Sequence, residues 1–345
     1  MTDFPKTAVV LLSCSDFRAL EISLTCHMTF APEGVDFYIL QNCRGSFSSE
    51  RTLAVANRFA NRYPNRIAVR TDLDPDYSYR NIRKLLNRPR LKSYELICKV
   101  DDDCFPISKH WFQALHDTYA KGVARDGDRF AYATPLINNN TWGFQETLSV
   151  MSLEKRFFEE IASVHWAGPN ANKRIVPADK IDGGGCGTIW GNPHFARWLH
   201  RETTLQPDKF AAACAELGPI PVPNDKRYSI GCILFRRNLW NDIASGKNQD
   251  DERMLFDYVR ENDMAVDCAR SAPFVHLNYF SQRDENADLV EAASAVYQDY
   301  CSPPYLISGF PSKAHEISAR LEALEKQLRE NADPSTGPKG ALYDR

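Results

Sequence analysis

The sequence predicts an α/β fold, a mostly parallel sheet flanked by helices, with a central insertion and C-terminal helices. Three observations lead there. Over the first hundred residues, short apolar runs alternate with stretches of helical spacing, the pattern of strand-helix-strand units. The apolar runs are continuous rather than alternating, as in strands covered on both faces. Hydrophobic residues make up 43% and charged residues 25% of the 345, enough apolar surface to offset the entropy of ordering a large core.

The elements follow in order. Residues 7–12 (TAVVLL) read as a buried strand, and 16–28 as a helix with Leu20, Leu24 and Met28 on one face. Residues 35–40 are the second strand, and 49–63 a helix presenting Leu53, Ala56, Phe59 and Ala60. Residues 66–70 form a short third strand, and 78–88 a helix facing inward through Ile82, Leu85 and Leu86. Residues 94–100 are a fourth strand that runs directly into Asp101, Asp102 and Asp103. From 104 to 226 the periodicity is weaker, with turns at Asn138-Asn139-Asn140 and at 182–187. Regular structure resumes at 228–237. A helix after Asp250-Asp251-Glu252 buries Met254, Leu255, Tyr258 and Val259, and strand signal returns at 264–268 and 273–277. An amphipathic helix covers 284–300. Ile317, Leu321, Leu324 and Leu328 give 312–330 a stripe that packs on the domain or on a partner. Beyond Asn331 a Pro/Gly-rich tail is expected to be disordered.

Several function classes are excluded at this level. The net charge of −3 leaves no basic excess to neutralise a nucleic acid. No apolar stretch approaches the ~20 residues of a membrane span, and no secretory signal is legible. The ten cysteines form no C-x-x-C pair and several sit in apolar runs, so reduced packing thiols in a cytoplasmic setting are expected.

Three consecutive carboxylates at a strand end repel one another. A hard divalent cation relieves that repulsion and can also grip phosphate oxygens. In a parallel sheet, ligands gather at the carboxyl ends of the strands, which is where the triple stands.

The run Lys99-Val100-Asp101-Asp102-Asp103-Cys104-Phe105-Pro106, on the fourth strand of this pattern, resembles the Asp-x-Asp motif of GT-A fold glycosyltransferases, the family-2-like enzymes above all. The resemblance covers roughly 7–106 and 228–277. It implies a Rossmann-like GT-A domain over 1–283, divided into a nucleotide-sugar-binding half (1–106), an acceptor-side insertion (107–227) and a segment with the base and a metal-binding histidine (228–283). A helical extension (284–331) and the tail (332–345) follow. It further implies sugar transfer from a nucleotide-sugar, UDP-linked by expectation, to a hydroxyl of a polysaccharide or glycolipid. The anomeric centre is inverted, with Mn2+ or Mg2+ as cofactor. Asp103, with Asp101, would hold the metal, and Asp101 or Asp102 would touch the ribose. His276 resembles the histidine that completes the metal site in many such enzymes.

Asp250-Asp251-Glu252 resembles the acidic opening of the helix beside the acceptor. A single displacement needs a base for the acceptor hydroxyl, and Asp251 is the first choice, Glu252 the second. The resemblance places Ser13 and Cys14, Asn42 (where the family has an aspartate), Asp72 and Arg80 along the nucleotide. In the glycine run 182–187, Gly184 and Gly185, with Trp190, would wall the acceptor pocket. Peripheral membrane association and oligomerisation through 312–330 remain open. Two alternatives stand beside this reading. A sugar-nucleotide-forming nucleotidyltransferase is disfavoured by SCSDFRAL, which lacks a glycine-rich phosphate loop. A non-catalytic sugar-binding module would need no base.

Overall fold

Thr7–Ser13 (β1) is buried at all seven positions, because the sheet lies on both sides of it and helices cover both faces. The computed structural model describes residues 4–14, 16–42, 46–73, 76–139, 141–162, 193–224, 228, 230–243, 251–277 and 286–301. After β1 come α1 (Phe17–Phe30), β2 (Asp36–Gln41), α2 (Ser46–Arg62), β3 (Ile67–Arg70), α3 (Ser78–Leu86) and β4 (Leu96–Asp101). The region of weak periodicity supplies β5 (Cys104–Pro106), α4 (Trp111–Asp126), β6 (Phe130–Ile137), α5 (Thr141–Val150), α6 (Glu154–Phe157), α7 (Pro193–Glu202), α8 (Pro207–Cys214) and β7 (Ile220–Pro221). The chain then gives β8 (Cys232–Arg236), α9 (Leu239–Ile243), α10 (Asp251–Glu261), β9 (Ala265–His276) and α11 (Ala287–Tyr300).

The described strands form one sheet of nine, ordered β3-β2-β1-β4-β8-β6-β9-β5, with β7 beside β9. β1, β2, β3, β4, β6 and β9 run one way, and β8, β5 and β7 run against them. The sheet is thus mostly parallel and flanked by helices. Six strands end at one edge: β1 at Ser13, β2 at Gln41, β3 at Arg70, β4 at Asp101, β6 at Ile137 and β9 at His276.

Three details differ from the sequence reading, the first being Tyr258 of α10, which is half-buried while Met254, Leu255 and Val259 are buried as expected. The buried face of α2 is Thr52, Val55 and Ala56, while Leu53, Phe59 and Ala60 are half-buried. Thr52 turns inward because its hydroxyl accepts a hydrogen bond from the Gln41 side-chain amide at 2.8 Å. The two apolar runs near 264 and 273 are one strand, β9, whose register with β6 shifts at Pro135/Leu136. Pro135 has no N–H to give a ladder, and an irregularity there absorbs the loss.

Eight described cysteines are free thiols, six of them fully buried as packing residues. Cys26 and Cys301 approach to 3.7 Å between sulfurs, and Cys98 and Cys232 to 3.8 Å. Among the described residues no helix is long and apolar enough to cross a membrane. The 312–330 stripe and the tail lie outside them.

Candidate active site

The three aspartates leave β4 in different directions. Asp101, the last residue of the strand, meets Lys99 at 2.6 Å. Lys99 is 1% exposed and also donates to the Ile230 carbonyl at 2.8 Å. Burial works against its charge, but Asp101 and Asp251 outweigh it and push the ammonium pKa up. Partial burial raises the pKa of Asp101, against the pull of Lys99 and with the repulsion of Asp103.

Asp102 turns back into the protein. Its carboxylate accepts the Cys14 N–H at 2.7 Å, which ties the end of β4 to the end of β1. Burial, and then Asp103, raise its pKa well above the usual carboxylate range.

Asp103 faces His276, with Oδ1 3.2 Å from Nε2. Backbone pairing dictates this meeting. Cys104 of β5 is opposite His276 of β9, and the Leu277 N–H donates to the Asp103 carbonyl at 2.8 Å. The imidazole is clamped from behind. The Asn139 amide donates to the His276 carbonyl at 2.6 Å, and its oxygen stands 2.9 Å from Nδ1. Asn138 accepts the His276 N–H at 3.1 Å and donates to Thr203 at 2.9 Å and Thr204 at 3.2 Å. With the Nδ1 proton directed at Asn139, Nε2 is the nitrogen presented to Asp103, the arrangement that orients a metal-ligating histidine. Burial opposes charge on both groups, yet their mutual attraction prevails. His276 is raised and Asp103 lowered.

Asp251 and Glu252 open α10. The Ser78 hydroxyl donates to Asp251 Oδ2 at 2.7 Å, and Asp251 Oδ1 accepts the Glu252 N–H at 3.1 Å. The Asp251 charge is felt at Lys99 and Asp101, and that of Glu252 at His276. The structure therefore brings both acidic segments and His276 to one edge of the sheet.

The other expected contacts are placed less uniformly. Ser13 ends β1, fully buried, and its carbonyl accepts the Asn42 N–H at 2.8 Å. Asn42 is 7% exposed and knotted into the protein. Its amide donates to the Asp76 carbonyl at 3.0 Å, and its oxygen accepts from the Asp76 N–H at 3.2 Å and the Asn81 amide at 2.6 Å. Asp72 pairs with Arg88 at 2.7 Å, out at the sheet's β3 side. Arg80 lies over the Tyr77 and Tyr79 rings at 5.0 and 5.5 Å and pairs with Asp76 at 3.6 Å. Asp16 caps α1, accepting the Arg18 and Ala19 N–H groups at 3.1 Å each. Gly184, Gly185, Trp190 and Asp250 lie outside the described residues.

Sequence reasoning missed three supporting residues: Lys99, Asn139 and Ser78. Lys99 left a trace, a lone cation inside the apolar run Leu96–Val100. A cavity of 710 Å³ lined by Tyr94, Tyr119, Arg237 and Tyr258 lies at the opposite edge of the sheet and contains none of the site residues.

No protein-family model matches the chain, and no curated protein matches it. Solved structures similar to it include a mannosyltransferase, PcManGT, from Pyrobaculum calidifontis in complex with GDP-Man and Mn2+. That likeness has 11% identity over 95% of this chain and 83% of that one, at a TM-score of 0.45. The bifunctional glycosyltransferase WbbM is 12% identical over 93% of this chain and 52% of that one, TM-score 0.34. The mannosyltransferase Ktr4p from S. cerevisiae is 13% identical over 80% of this chain and 74% of that one, TM-score 0.30. All three TM-scores lie below 0.5.

Proposed function

We propose that the chain is a metal-dependent glycosyltransferase of GT-A type that moves a sugar from a nucleotide-sugar to an acceptor hydroxyl with inversion. In this reading 1–283 form the catalytic domain. The observation that carries it is the Asp103–His276 contact at 3.2 Å, at the same carboxyl edge as Asp251.

The pair fits a divalent metal. It offers a carboxylate oxygen and an oriented imidazole nitrogen, a mixed set that suits Mn2+. Among the described residues no group of three or more such side chains is assembled. The remaining ligands of an ion held by Asp103 and His276 would come from the donor's phosphates, from water and from Asp101. The chemistry that a metal held there would supply is neutralisation of the negative charge on the departing diphosphate.

The chain's own residues do the rest. Lys99 holds Asp101 and keeps its charge beside the donor site. Asp102 fixes the β1 loop that faces the ribose. Ser78 orients Asp251, which takes the proton of the attacking acceptor oxygen, with Glu252 next to it. Because base and leaving group act in one displacement, the product is inverted.

A screen of UDP- and GDP-sugars for hydrolysis and transfer, with Mn2+ and with EDTA, tests the reading. Transfer is expected only with metal. Asp251→Asn is expected to lower kcat by about 10²–10⁴, with Glu252→Gln the smaller loss. Undiminished turnover in EDTA would sink the metal role, and full activity in both variants would leave no base.

A further inference from the structure

Two cysteines from opposite ends of the chain meet where α11 packs on α1. Cys26 lies inside α1 and is fully buried, while Cys301 caps the end of α11 and is half-buried. Their sulfurs stand 3.7 Å apart, already in contact. The neighbours hold Cys301 in this place. Its N–H donates to the Tyr297 carbonyl at 3.0 Å, and the adjacent Tyr300 hydroxyl donates to the Ile107 carbonyl at 2.8 Å. The Tyr300 ring rests on Phe30 at the end of α1, with centroids 5.7 Å apart.

The two thiols are not equivalent. Burial raises the Cys26 thiol well above its ordinary value, and the hydrogen bond with Cys26 lowers Cys301. Thiolate character and access to solvent thus fall on the same sulfur, with a second thiol directly behind it. The other close pair differs in both respects. Cys98 and Cys232 approach to 3.8 Å, but both are fully buried on neighbouring strands. Their positions are also staggered, since Cys98 faces Leu234 and Cys232 faces Val100.

We propose that Cys301 and Cys26 form a modification site, in which a peroxide oxidises Cys301 and Cys26 resolves the product to a disulfide between α11 and α1. The Cys301 sulfur attacks one peroxide oxygen, the O–O bond breaks, and sulfenic acid and water result. The Cys26 sulfur then displaces the hydroxyl from the Cys301 sulfur, the S–S bond forms, and the hydroxyl leaves as water with the Cys26 proton. Two thiols lose two electrons, which reduce one hydrogen peroxide to two waters. The bond joins residues 275 positions apart. It also braces the helix that supports β5, because Ser23 of α1 donates to the Cys104 carbonyl at 3.2 Å and His27 Nε2 stands 3.3 Å from it.

The test treats the full reduced chain with hydrogen peroxide, blocks the remaining thiols, digests with trypsin without reductant and reads the peptides by mass spectrometry. A bonded pair of peptides 19–44 and 284–313 is expected. The first also contains Cys43, so fragmentation must place the bond at Cys26. In Cys26→Ala, Cys301 should stop at sulfenic acid, which dimedone traps. The oxidised chain should melt at least about 3 °C above the reduced one, a gain that dithiothreitol reverses and that Cys301→Ser lacks. Cys301 left as a thiol, bonded to another cysteine, or carried to sulfinic acid with Cys26 intact overturns the proposal. An unchanged melting temperature in the bonded chain overturns the bracing of α1.

Discussion

At His276 the backbone and both ends of the Asn139 amide hold one ring in one orientation, and the position of Nε2 depends on them. Asn139→Ala removes the partner of Nδ1 without touching either proposed metal ligand. It is expected to raise the Mn2+ concentration needed for half-maximal transfer by about 10–100-fold, with kcat at saturating metal nearly restored. A merely structural role would shift thermal stability without that split. Lys99 supports the site differently. Lys99→Met leaves Asp101 without its cation and the Ile230 carbonyl without its donor. The expected cost is about 3 kcal/mol, the low end for a broken buried pair because Asp101 keeps contact with water. Urea denaturation measures it, and an unchanged midpoint would show that the pair contributes nothing. The Asp triple was legible in the sequence because adjacent carboxylates after an apolar run form a local pattern. The Asn139–His276 clamp was not, because it joins residues 137 positions apart through strand pairing.

Among the elements, α4 and β6 show how closely helix and sheet approach. A methyl group at Gly122 would stand 2.1 Å from the Phe130 ring, so glycine is required there by space. Gly122→Ala is expected to lose about 1–3 kcal/mol, since the ring must leave its place in a packed core. A thermal melt of the variant decides it, and a helix-propensity gain without destabilisation would show that the helix can move away. The first four strands were legible because each is a continuous apolar run, and the first three are each followed by a helix. β6 was not, although all eight of its residues are buried. Its Pro135 reads as a break in a central strand, and only the register shift against β9, more than a hundred residues later, shows how the sheet accommodates it. The placement of Thr52 inside α2 was hidden for a similar reason, since its partner Gln41 belongs to another element.

Among the described residues many acidic and basic groups pair with one another, as Arg125 does with Asp126 and Asp267 and Arg156 with Glu160 and Glu202, yet two places gather one sign. Carboxylates collect at the carboxyl edge of the sheet and cations along α3, which a net charge of −3 conceals. Three buried histidines make stability depend on pH. Burial lowers His27 and His116 to about 4 and His200 to about 3, from 6.5. The folded state keeps them neutral, while the unfolded chain takes up their protons below about 6.5. Stability is therefore full above that pH and falls as pH drops toward about 4, by roughly 2 kcal/mol per histidine at pH 5. Urea midpoints at pH 7 and pH 5 should differ accordingly, and His27→Gln should reduce the difference. Equal midpoints would contradict neutral burial of these rings.

The strand order also sets a timetable for making the protein. Ser78 meets Asp251 across 173 residues, and Asn139 meets His276 across 137. A ribosome adding about 5–20 residues per second therefore exposes Ser78 for roughly 10–35 s before Asp251 exists to receive its hydroxyl. Until β8 is made, the Asp triple has neither its histidine nor an antiparallel neighbour to shield β4. The nascent chain carries an uncovered strand edge at β4, and the last third of the sequence both closes that edge and completes the site.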